Sequence, residues 1–300
     1  MHTQREVSFG IQNSLLPGGG VPRLTVKTID QLLDGIVLQR SVQLDLSSVE
    51  FVDPYALLLL DLAVRYRLAR QLPLRVQWPR SHYVCGWMDD MGFAKEVRSF
   101  CGSPREPHLL TSSALQPIAH IGKEEDVSRL VRAFDLRLSK RYPLTNESRN
   151  ALVKVMLELF QNIPQHSNAT GKVEDPHGLA AMQDYTDSIF LAVADMGIGL
   201  RGSLSLRDKL ARITDKGALK KVVFEGMSRF VDPGHGGELR RIARLVRKWD
   251  GLLVIRSGEA LMYMDVEQGD VYDAPFFPGV QIAVRLPRHV FGIEAAPVDN

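Results

Sequence analysis

Asn146 to about Ser167 carries the strongest helical signal in the chain, with Leu152, Val155, Met156 and Leu159 on one apolar stripe. A stripe of that length has to be buried on another layer, and the residues C-terminal to it supply one. Gly178–Gln183 and Ile189–Ala194 read as strands, and residues 218–230 and 239–249 read as helices. Residues 252–257, 260–265 and 280–286 then alternate like antiparallel strands. Upstream, Pro117–Ile121 is a further strand and residues 127–141 a further helix. Helices first and strands after predict an α+β, two-layer α/β sandwich, with one helical layer on one mixed sheet.

Prolines 104, 107 and 117, with Gly102, Ser103, Ser112 and Ser113 nearby, mark a break before this unit. We expect a flexible segment 1–20, a small α/β domain 21–102, a linker 103–116 and the main domain 117–300. In the small domain, residues 41–46 read as a strand. Asp53-Pro54 then supplies a cap and a first-turn proline, and Leu57, Leu60, Val64 and Leu68 recur at helical spacing. Leu74–Gln77 is a second strand and residues 83–91 a second helix. With 45% hydrophobic and 24% charged residues the composition is that of a globular protein. A net charge of +2 does not point to nucleic acid. The polar start Met1–Phe9 and the absence of any long apolar run predict a cytoplasmic protein with no membrane partner. Cys85 and Cys101 lack metal-ligand spacing and read as reduced thiols.

Three segments carry candidate chemistry. Glu158, Asn162 and His166 are four residues apart and share a helix face. An amide oxygen can complete the shell of a magnesium ion that keeps most of its waters, and a carboxylate can position or deprotonate an attacking hydroxyl. A solvent-facing polar stripe has the same spacing. Asp195-Met196-Gly197-Ile198-Gly199 directly follows an apolar strand. Its glycines allow a tight turn against a flat ligand, and an ionised Asp195 only accepts, as an exocyclic amine would require. An ordinary Asp–Gly turn reads alike. Gly234-His235-Gly236-Gly237-Glu238 opens a basic helix, where free N–H groups suit a phosphate.

In this order and spacing the three segments resemble the GHKL (Bergerat-fold) ATPase and kinase family, from about Pro117 to His289. The resemblance implies ATP and Mg²⁺ as cofactors. Glu158 would be the general base and Asn162 the metal ligand, with Asp195 as the adenine-amine acceptor. Gly197 and Gly199 would line the base pocket, and Gly234, His235, Gly236 and Gly237 would cover the phosphates. Leu200–Pro233 would be the lid. His166-Ser167 is most similar to the motif of anti-sigma-factor serine kinases. Residues 44–57, with Asp53-Pro54-Tyr55, resemble the strand–loop–helix of STAS domains, though Pro54 stands where phosphorylated members carry serine.

The chain departs from the GHKL pattern at Glu238 (glycine in the family), at Val280 (threonine) and at Pro164, which stands inside the helix. Arg240, Arg241, Arg244, Arg247 and Lys248 read as the solvated face of a core helix. The expected function is an ATP-Mg-binding regulatory protein. It would either hydrolyse ATP slowly or transfer phosphate to Ser/Thr of a partner protein, the alternative being a non-catalytic, ATP-dependent switch. A regulatory protein partner is expected, and a homodimer is left open.

Overall fold

The computed structural model describes residues 7–10, 22–33, 36–93, 114–166, 178–207, 210–229 and 237–292. The N-terminal part runs Val7–Gly10 (β1), Arg23–Leu24 (β2), Asp30–Leu33 (α1), Val42–Asp45 (β3), Phe51–Val52 (β4), Pro54–Ala69 (α2), Leu74–Gln77 (β5) and His82–Asp90 (α3). β1, β3 and β5 form a parallel sheet with β3 in the middle, and β2 pairs in parallel with β4. Asp53 caps α2 as its sequence implied: Oδ1 accepts the Ala56 N–H at 2.8 Å and Oδ2 the Val26 N–H at 2.9 Å. The segment 1–20, expected to be flexible, contributes β1, because Val7–Gly10 completes the ladder along β3.

The second part runs Ala114–Ile121 (β6), Glu124–Arg141 (α4), Asn146–His166 (α5), Gly178–Asp184 (β7), Ser188–Asp195 (β8), Gly199–Leu204 (α6), Asp215–Lys220 (α7), Glu238–Lys248 (α8), Leu252–Met264 (β9) and Gly269–Pro287 (β10). Its five strands lie in the order β6-β7-β8-β10-β9, and every neighbouring pair is antiparallel. The mixed sheet expected from sequence is therefore corrected. Short turns join β7 to β8 and β9 to β10, and a hairpin admits only antiparallel pairing. β6 begins at Ala114, inside the expected linker 103–116, whose earlier residues lie outside the described ones.

Both faces of this sheet are covered. Ile189, Leu191 and Val193 of β8 share a core with Leu159, Phe160 and Ile163 of α5 and Ile242 and Val246 of α8. Their alternates Phe190, Ala192 and Ala194 share another core with Leu57, Leu58 and Ala63 of α2. Within residues 114–292 the helices thus share one core with one face of the sheet, and the N-terminal part packs on the other face as a third layer. Ala181, Ala192, Ala194 and Ala283 all face α2, and such small side chains let a helix approach closely. α2 is buried almost all round, as a helix between two layers must be. The fully buried Arg256 of β9 reaches from the sheet to Asp30 of α1.

Two further expectations change. The strands predicted at 252–257 and 260–265 are one, β9, which passes through Gly258 at φ 62°. Opposite it β10 shifts register between Asp273 and Phe277 and again before Val280. The irregular stretch broke the period-2 pattern without ending the strand. The helix predicted at 218–230 is α7 plus a π-helical turn, Lys221–Glu225, ended by Gly226 at φ 72°. Pro164 stays inside α5, within its last turn, where it removes one N–H donor to the carbonyl four residues back but leaves almost no helix beyond it to break. Among the described residues no helix is long and apolar enough to cross a membrane.

Candidate nucleotide pocket

β8, an inner strand of the sheet, ends on Asp195, which has 6% of its surface exposed. Its Oδ1 accepts the Gly197 N–H at 2.7 Å, and its backbone oxygen accepts Gln281 Nε2 at 2.8 Å. β10 comes so close that a Cβ on Gly279 (φ 85°) would lie 2.1 Å from that oxygen, so the site requires glycine there. Burial pushes the Asp195 carboxyl up to about 7, against the lowering pull of the Gly197 and Val280 N–H groups. Gly199 (φ 70°) turns the chain into α6, and the next N–H, on Leu200, donates to Ser257 Oγ at 2.9 Å.

Asp195 lies in the wall of an open cavity of about 740 Å³, mouth included. Leu159, Ile163, Val193, Leu204, Met227, Val280 and Ile282 make it mainly apolar, and Asn162, Ser203, Ser228, Arg229 and Glu238 add polar groups. The Asn162 Nδ2 is buried with no hydrogen-bond partner. Because an amide exchanges its nitrogen and oxygen by rotation, this side chain is uncommitted and can offer its oxygen to a ligand. Glu158, one turn earlier on α5, is not among the lining residues. It accepts from Arg241 of α8 at 3.3 Å, and the same guanidinium stands 3.5 Å from Glu238. That contact balances the carboxylate charge that the departure at Glu238 brings to the pocket.

Asn162, Asp195 and Gly199 thus come together at one cavity. Gly197 serves as a donor to Asp195 and is not part of the cavity lining, and Glu158 is a neighbour held by Arg241. Gly237 adopts φ 79° at the start of α8. Gly234, His235, Gly236 and the His166 side chain lie outside the described residues. Of the basic residues Lys220, Lys221 and Arg229, which follow α6, Arg229 lines the cavity, and burial lowers its guanidinium below the usual range. Lys221 pairs with Glu225 at 3.1 Å. Sequence reading missed Gly279, Gln281, Ser257 and the apolar wall from the π-helical turn. Only Pro278-Gly279, a turn signal just before an alternating strand, could have pointed to the first two.

Asp53, Pro54 and Tyr55, the STAS-like loop, are buried, Tyr55 completely. A phosphoryl donor has no access there in this arrangement. Comparison with protein-family models, curated proteins and solved structures finds no match.

Proposed function

We propose that this pocket binds ATP with Mg²⁺ and that the protein is an ATP-controlled regulatory switch of GHKL type. The observation that carries the reading is the buried Asp195 carboxylate in an apolar wall, in one cavity with the uncommitted Asn162 amide. An ionised Asp195 accepts from an exocyclic amine, and the apolar wall suits the face of a heteroaromatic base. Among the described residues no group of three His, Cys, Asp or Glu could hold a metal by itself. A magnesium ion at Asn162 would therefore draw most of its ligands from phosphate and water. When bound, ATP-Mg²⁺ would supply an activated phosphoryl group, with water or a partner hydroxyl as the acceptor. The role of this chain's residues is to hold the base, orient the phosphates and keep a carboxylate ready to take the acceptor's proton.

The Arg241–Glu158 contact favours a second reading, a switch without turnover. Glu158 faces the Arg241 guanidinium at 3.3 Å and not the cavity, so it would have to leave that contact to reach an acceptor hydroxyl. One pair of variants separates the two. Asn162→Ala is expected to remove the Mg²⁺-dependent tightening of ATP binding. Glu158→Ala should leave affinity within about threefold while abolishing ADP release measured over hours. Wild-type turnover by Glu158→Ala would assign the base elsewhere, and no turnover by the native chain with any partner would leave the non-catalytic switch.

A further inference from the structure

Arg240, Arg244 and Arg247 stand at i, i+4 and i+7 on α8 and line one groove of about 450 Å³. Its floor is apolar: Phe224, which is 41% exposed, with Ala243 and Met264. Among the described residues none of the three arginines has a carboxylate partner. Arg240 and Arg247 reach only the backbone oxygens of Glu225 and Asp265, each at 3.4 Å. The side-chain carboxylates of those same two residues are engaged elsewhere, Glu225 with Lys221 and Asp265 with its own turn. Three guanidiniums along an apolar trough form more than the solvated face of a core helix.

We propose that this groove docks an acidic segment of a partner protein, a short helix presenting two or three carboxylates around one leucine or phenylalanine. Guanidinium forks match carboxylates in pairs, and the arginine ladder spans about 10 Å, two turns of a partner helix. The exposed Phe224 provides a site for the apolar side chain, which a chain of phosphates would leave unfilled. The groove is separate from the nucleotide pocket, and the docking does not depend on that assignment. The two share one π-helical turn, in which Val222 lines the pocket while Val223 and Phe224 line the groove.

The test uses the full chain and a fluorescein-labelled helical peptide with glutamates at i, i+4 and i+7 around one leucine. Anisotropy at low salt is expected to give micromolar binding. Arg240→Glu/Arg244→Glu/Arg247→Glu should weaken it at least tenfold, and Arg244→Glu alone or Phe224→Ser at least threefold, with unchanged circular dichroism. Peptide binding that is indifferent to all of these variants would overturn the proposal. So would equal or tighter binding of a 12-nucleotide oligothymidylate, whether or not Phe224→Ser weakens it, since bases also stack on an aromatic ring; that result would mark a nucleic-acid surface. A native dimer that the triple variant turns into monomer would assign the groove to a second copy of the chain and overturn it too.

Discussion

Arg256→Ala is expected to cost about 3 kcal/mol in urea unfolding, the low end of the loss when a buried ion pair loses one member, because Asp30 keeps 30% of its side chain exposed. Arg256 is fully buried, pairs with Asp30 and donates to the Pro275 carbonyl at 2.9 Å. Removing it strands Asp30, whose carboxyl burial already pushes up and Arg256 pulls back down. Against a total of about 5–15 kcal/mol for a typical fold, such a loss leaves little margin. The double variant Arg256→Met/Asp30→Leu should recover most of it, because no charge is then left buried alone. The next residue, Ser257, accepts the Leu200 N–H at the pocket's glycine turn, so consecutive residues of β9 hold the N-terminal part and the pocket wall. A cost below about 1 kcal/mol, the worth of an exposed pair, would mean that the N-terminal part is not seated on the sheet in solution.

Asp195→Asn is expected to weaken adenosine binding at least tenfold, about 1.4 kcal/mol, since the Gly197 N–H holds the amide oxygen and leaves an N–H₂ facing the amine it should accept from. The same variant should not destabilise the free protein at pH 8. Its native carboxyl is raised to about 7, so its ionisation in the fold opposes stability. By linkage, stability from this group is fully present below its unfolded value near 4 and is lost as pH rises through about 7. Binding runs the other way. The ionised form accepts the amine, so adenosine affinity of the native chain should rise between pH 6 and 8 and be flat in Asp195→Asn. Adenosine carries no phosphate, and a pH dependence therefore reports the protein. A flat native profile, measured by calorimetry, would remove Asp195 from the base pocket.

Local signals were legible and long-range ones were not. The α5 stripe, the Asp53-Pro54 cap and the strand leading into Asp195 come from periodicity and capping, and all three appear where those rules place them. β1 was missed because four residues gain a strand only from the distant ladder of β3. The continuity of β9 was missed because Gly258 reads locally as a break. The covering of the second sheet face was written in the alternation of Ala192 and Ala194 with Ile189, Leu191 and Val193, but an alternating pattern does not say what packs on the smaller side. At the site, Asn162 and Asp195 were legible as chemistry on a helix and at a strand end. Gln281 and Gly279 matter only because β10 lies beside β8, a pairing that spans some ninety residues.

Calorimetric titration of the native chain with ATP and with GTP, each in the presence of Mg²⁺, tests most directly whether the cavity beside Asp195 is an adenine-nucleotide site. Adenine presents an amine donor where guanine presents a carbonyl, which a carboxylate repels. ATP should bind, with GTP at least tenfold weaker. Equal affinity for the two nucleotides, or no heat from either, would contradict the assignment.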